Sequence, residues 1–139
     1  MKKKVISSFA FAISAILIYS MISGLKPYDD KKPWPVPDKY KTMKNAVPSG
    51  AESISDGKTL WTTHCKSCHG AKGLGDGPKA AQLKTEPGDF SKADVQSQSD
   101  GSLFYKISEG RDDMPSFKKK VPDQDDIWSI VNYLRSLKK

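Results

Sequence analysis

The chain has 139 residues, of which 37% are hydrophobic and 28% charged, with a formal net charge of +7. This length allows one small domain with extensions. A single Cys-x-x-Cys pair closes a tiny loop and ties nothing distant, so a disulfide framework is excluded. The lysines are interspersed with acids rather than gathered in a stripe with interleaved aromatics, which argues against a nucleic-acid-binding surface.

In chain order, Lys2-Lys3-Lys4 precede an apolar run from Val5 to Leu25, the layout of an export signal. No charge interrupts the run, and it is long enough to cross a bilayer as a helix. Residues 1–25 are therefore read as a signal peptide or an uncleaved N-terminal membrane anchor; Ile22-Ser23-Gly24 is a weak cleavage site. Either reading carries the remainder out of the cytoplasm, with the basic N-terminus held inside. Residues 26–50 contain Pro27, Pro33, Pro35, Pro37 and Pro48. Lys32-Pro33-Trp34-Pro35-Val36-Pro37 is expected to be extended, near polyproline II. The stretch reads as a semi-rigid tether of up to about 3.1 Å per residue. The alternative is that Trp34 and Tyr40 fold back onto the domain.

Residues 51–139 read as the folded domain. A helix capped by Ser53 or Ser55 is expected to run through Gly57, Leu60 and Trp61 into Cys65. A glycine-rich loop follows from Gly70 to Gly77, then a short helix from Pro78 to Leu83. Thr85 to Gln98 is polar and expected to be irregular, with a turn at Pro87-Gly88. Asp100 to Ser108 places Leu103, Phe104 and Ile107 on one helix face, and Gly110 would end that helix. After a loop from Gly110 to Pro122, Asp123 caps a last helix with Ile127, Ile130, Val131, Leu134 and Leu137 at helical spacing. No strand-like alternation of any length occurs, so the expected class is all-α, with three to four main helices.

Cys65-Lys66-Ser67-Cys68-His69 is the strongest chemical motif. Two intervening residues let both thiols add to the two vinyl groups on one haem edge, forming thioethers. The next residue then presents an imidazole nitrogen to the iron as fifth ligand. One covalent haem c is therefore expected at Cys65, Cys68 and His69. A thioredoxin-like pair would need a βαβ setting, which is missing. A zinc site would need four ligands, and only His64 stands near, adjacent to Cys65 and pointing elsewhere. His64 reads as a surface or helix-end residue.

For the sixth position, Met1 and Met21 belong to the export segment and Met43 precedes the motif. Met114 lies in Asp112-Asp113-Met114-Pro115-Ser116-Phe117, a loop between two helices stiffened by Pro115. A thioether there is a soft ligand that favours Fe(II) and raises the potential. Met114 is the candidate second metal ligand.

These residues resemble class I cytochrome c over about residues 52–138. Gly57, Trp61 and Cys65 fall at four-residue steps, as in the family's first helix where it crosses the last. Ile130 and Tyr133 look like the matching contacts. Gly77-Pro78 resembles the segment whose proline carbonyl accepts a hydrogen bond from the haem-ligating histidine, with Pro87 as the alternative. Met114-Pro115-x-Phe117 resembles the bacterial distal loop. Within the family the chain looks like membrane-tethered or periplasmic monohaem cytochromes and the cytochrome c subunits of respiratory complexes.

The resemblance implies a small cytochrome c fold around one haem with His69/Met114 axial ligation. It also implies a single-electron carrier rather than an enzyme, with redox proteins or respiratory-complex subunits as partners. The haem domain would lie on the periplasmic side of a bacterial membrane through the N-terminal helix, or free in the periplasm if that segment is removed. The rival is a haem enzyme or gas sensor with an open sixth iron site. Trp61, Phe104, Tyr105, Phe117, Trp128 and Tyr133 are the expected apolar wall. Lys118-Lys119-Lys120 would ring the exposed haem edge or form a solvated loop, and Arg111 is a candidate partner for a propionate.

Overall fold

The computed structural model describes residues 33–139; the segment expected over residues 1–25 lies outside them. The helices are α1 (Asp38–Lys41), α2 (Ala51–His64), α3 (Lys66–His69), α4 (Ala93–Gln96), α5 (Asp100–Glu109) and α6 (Gln124–Ser136), with a 3-10 turn at Ala80–Gln82 between α3 and α4. No β-strand occurs among the described residues, in agreement with the all-α expectation. None of the described helices is long and apolar enough to cross a membrane.

The three long helices supply the frame. α2 starts at Ala51, with Gly50 in extended conformation at its N-cap. Ser53 is thus inside the first turn rather than the cap. Its Oγ accepts from the Gly50 N–H at 3.1 Å and donates to the Pro48 carbonyl at 2.9 Å, so a cap without a side chain is served from within the helix. α5 is capped at its start by Ser99, whose Oγ accepts from the Ser102 N–H at 3.2 Å, and at its end by Gly110. α6 has the expected cap: the Asp123 carboxylate accepts from the Asp125 N–H at 2.9 Å.

α2 crosses α6 with the backbones in contact. A β-carbon on Gly57 would lie 2.0 Å from the Ser129 carbonyl oxygen and 3.0 Å from the Tyr133 β-carbon. Only hydrogen fits there. Tyr133 is therefore at the crossing as expected, while Ser129 rather than Ile130 supplies the touching backbone. Ile130, Val131 and Leu134 are instead the most deeply buried side chains, and each contributes about 2 kcal/mol by leaving water. One turn beyond Gly57, the Trp61 ring lies 5.7 Å from that of Tyr133. Phe104 of α5 stacks on Trp128 of α6 at 4.2 Å. Leu103, Ile107, Phe117, Val121 and Ile127 complete the core.

From Pro35 onward the chain forms one compact unit. Of the stretch expected to be a tether over residues 26–50, the part after Trp34 therefore belongs to this unit. α1 lays the Tyr40 ring 4.7 Å from that of Tyr105 on α5. Asn45 donates to Asn132 Oδ1 at 2.8 Å, and buried Asn132 donates to the Val47 carbonyl and Ser53 Oγ, both at 3.1 Å. An aromatic contact and a satisfied amide network thus hold the stretch against the helices, while Pro37 keeps the extended backbone expected of it, with φ −59 and ψ 143. The helix expected over Pro78–Leu83 contracts to the 3-10 turn Ala80–Gln82, and the expected irregular stretch contains the one-turn helix α4.

The crossing makes a direct prediction. Gly57→Ala forces the two long helices apart against backbone atoms. It is expected to lower unfolding stability by about 3 kcal/mol, the upper part of the overpacking range, measured by denaturant titration against wild type.

Candidate haem site

The Cys65–His69 motif begins where α2 ends. Cys65 closes α2 through its N–H to the Trp61 carbonyl at 2.9 Å, and its own carbonyl receives the N–H groups of Cys68 at 3.1 Å and His69 at 3.0 Å. One helical turn therefore brings both thiols and the imidazole to the same side of the chain. Neither thiol is in a disulfide; Cys65 is buried and Cys68 half-buried. Burial, with a smaller contribution from neighbouring Cys68, pushes the Cys65 thiol up to about 12. Thiol–disulfide exchange needs a thiolate near neutral pH, so Cys65 is not tuned to attack in that chemistry.

His69 is held from three directions. Its Nδ1 lies 3.1 Å from the Pro87 carbonyl oxygen. Because a carbonyl only accepts, Nδ1 carries the proton and Nε2 keeps its lone pair. The ring centroid is 5.5 Å from Trp61 and 5.0 Å from Phe90, the latter edge-on. Burial lowers the His69 pKa, while the Pro87 hydrogen bond acts in the opposite direction. The net effect favours neutral imidazole, the form that binds iron.

Pro87, not Pro78, thus supplies the carbonyl that accepts from His69. The Gly77-Pro78 segment has another task. The N–H groups of Gly75, Gly77 and Lys79 bond to the carbonyls of His69, Cys68 and Ser67 at 2.9, 3.2 and 2.9 Å, which closes the end of α3. Phe90 N–H to the Gly73 carbonyl at 2.7 Å then draws the 85–90 segment back beside the histidine. Trp61 Nε1 donates to the Gly70 carbonyl at 3.0 Å, tying the same loop to α2.

Met114 stands on a loop anchored to the end of α5. Gly110 has φ +69, and a β-carbon there would lie 2.4 Å from the Met114 carbonyl oxygen. Arg111 and Met114 exchange both backbone hydrogen bonds, at 2.8 and 2.9 Å, so Asp112 and Asp113 form the tip of a closed two-residue turn. Asp112 adopts φ 52, rare for a residue with a side chain. Ser116 Oγ donates to the Ser108 carbonyl at 2.6 Å, and the Phe117 N–H bonds to the carbonyls of Ile107 and Ser108. The last carbonyls of α5 thereby hold the loop. Met114 is half-buried and packs against the core.

Of the expected apolar wall, Trp61, Phe104, Phe117, Trp128 and Tyr133 are buried. Tyr105 is turned to Tyr40 instead. Phe90 joins the site unannounced by periodicity; the signal available was that it is the single aromatic in a polar stretch. His64 is a half-buried helix-end residue whose ring faces Phe117 at 6.1 Å. Lys118 pairs with Glu109 at 2.5 Å, and Lys120 sits over the Phe117 ring, so the lysine run is partly engaged at the surface. Arg111 lies 3.4 Å from the carboxylate of Asp112. Among the described residues no group of three or more His, Cys, Asp and Glu is placed to hold a metal ion by itself.

Two unpaired thiols one turn apart, a neutral imidazole with Nε2 unprotonated, and a thioether on a fixed loop fit a covalently attached haem. With the all-α fold, they define a c-type cytochrome. The chain belongs to the family described as Cytochrome C oxidase, cbb3-type, subunit III, whose pattern matches residues 52–134. No curated protein matches it. It is similar to a chain of the Kuenenia stuttgartiensis reducing HAO-like protein complex Kustc0457/Kustc0458, with TM-score 0.61 and 26% identity over 78% of this chain. It spans about half, 53%, of that longer chain. It is also similar to the KustC0563 c-type cytochrome, with TM-score 0.54 and 31% identity over 60% of this chain and 99% of that one. Membership of the c-type cytochromes implies covalent haem c with its iron, and an electron-carrying role.

The attachment chemistry can be checked by intact mass under denaturing conditions. Wild type is expected to carry the mass of one haem. Cys65→Ser and Cys68→Ser should each keep at most one thioether, and the double variant should carry no haem that survives denaturation.

Proposed function

We propose that this chain is a single-electron carrier of a bacterial respiratory chain, holding one haem through Cys65 and Cys68 with His69 and Met114 as axial ligands. The observation that carries the reading is a half-buried Met114 on a loop bonded to the last carbonyls of α5, together with a His69 already oriented by Pro87. Bound haem supplies a one-electron Fe(III)/Fe(II) couple. The Pro87 carbonyl makes the His69 imidazole a stronger donor. The Met114 thioether, being soft, favours the reduced state. Trp61, Phe90 and Phe117 keep water from the histidine side and from the base of the methionine loop. With His69 and Met114 both bound to the iron, no position would be left for a substrate, and a ligand set kept through the redox change would keep reorganisation small.

The export-like sequence of residues 1–25 supports action outside the cytoplasm, on the periplasmic face of a membrane if the segment stays as an anchor. The likeness to a chain of a reducing HAO-like protein complex supports a role as a complex subunit as well as a free carrier. In both cases the partners are other redox proteins.

The optical spectrum tests the ligation. Wild type should be low-spin in both oxidation states, with the weak sulfur-to-iron charge-transfer band in the oxidised form, and should resist CO. Met114→Ala should lose that band, become high-spin, bind CO readily and fall in potential within the roughly 0.8 V that axial ligation spans. A wild-type protein that is already high-spin and takes CO at once would favour the enzyme or sensor reading instead.

A further inference from the structure

The turn that carries Met114 is fixed at its base, yet its tip makes a separate contact. Asp113 Oδ2 accepts a hydrogen bond from the Lys84 N–H at 2.6 Å, joining residues 29 apart in sequence. The neighbouring tip acid, Asp112, is turned to Arg111. Lys84 begins the segment that ends at Pro87, whose carbonyl orients His69. One exposed hydrogen bond therefore connects the support of one candidate axial ligand to the support of the other.

We infer that Asp113 is a positioning residue, a latch that holds the Met114 turn against the Lys84–Pro87 segment and sets how often the thioether leaves the iron. The inference rests on the His69/Met114 ligation proposed above. Met114 gives both its N–H and its carbonyl to the closed turn with Arg111. Its backbone therefore moves with Asp112 and Asp113 as one piece. The base bonds from Ser116 and Phe117 resist lifting of the loop but leave a rocking motion of the turn about Gly110. The Asp113 bond opposes that rocking at the end farthest from the pivot. Every excursion that withdraws the Met114 sulfur by this motion must first break it.

The experiment uses the oxidised holoprotein and imidazole as the probe. At saturating imidazole the binding rate is limited by departure of Met114. Asp113→Ala is expected to raise that limiting rate roughly threefold to tenfold, the loss of one net hydrogen bond. Asp113→Asn retains an acceptor oxygen and should stay near wild type. Lys84→Pro deletes the donor instead. Leu83, with φ −83 and ψ 147, already has the backbone that a residue before proline adopts. This variant should match Asp113→Ala, and the double variant should be no faster than either single one. An unchanged rate in Asp113→Ala, a failure of Asn to rescue, or effects that multiply in the double variant would overturn the latch. If wild type lacks the sulfur-to-iron band and its imidazole rate never saturates, the ligation itself fails and the latch with it. If the band is present and the variants are silent, only the latch fails.

Discussion

The structure depends on the contact between the α2 and α6 backbones at Gly57 and Ser129. A single missing methyl group lets two long helices approach until a carbonyl oxygen occupies the space a side chain would need. That approach seats Trp61 against Tyr133, and Trp61 in turn reaches the Gly70 carbonyl beyond the motif. The orientation of Cys65 and His69 follows, because Cys65 ends the helix that makes the crossing and His69 stands on the single turn, α3, that continues from it. Rigid attachment matters for this chemistry: a cofactor held by thioethers inherits the position of the helix that carries them.

Around this frame the site is built from irregular backbone whose polar groups are closed by other backbone. The end of α3 is satisfied by the N–H groups of Gly75, Gly77 and Lys79, and the end of α5 by the Phe117 N–H and the Ser116 hydroxyl after Met114. Helix termini leave carbonyls unpaired in any case. Here those obligations do double duty, since each one fixes a loop that presents a candidate ligand or its support. The same logic explains why so little ordinary secondary structure lies between His69 and Ser99. Those residues are committed to a glycine-rich wrap that returns Pro87 and Phe90 to the histidine.

The electrostatics agree with attachment rather than with thiol catalysis. A buried Cys65 held as a neutral thiol, beside an imidazole kept neutral by burial, is a poor exchange centre and a suitable precursor of a thioether and an iron ligand. Surface charge is more ambivalent. Part of the lysine run after Met114 is spent on Glu109 and on the Phe117 face, so its contribution to partner steering is smaller than its sequence suggests.

The amino-acid sequence by itself determined the chemistry of the site and the three long helices. Cys65, Cys68 and His69 are local: their relation needs only one turn of helix, which short-range geometry supplies. The cap at Asp123 and the apolar faces of α5 and α6 are equally local, whereas Gly57 at a close crossing was legible only through the resemblance to the family, because its partner Ser129 lies in a distant helix. The tertiary structure decided what depended on contacts between distant segments. Pro87 rather than Pro78 meets His69, because Gly75, Gly77 and Lys79 are taken up in closing α3 and the loop must travel further before it can return. Phe90 enters the site, and Tyr105 leaves the expected wall for Tyr40, by the same kind of long-range competition. Residues 35–50 fold onto the helices because Tyr40 and Asn45 find Tyr105 and Asn132. No periodicity within the proline-rich stretch records those partners, since each lies in a different helix far along the chain.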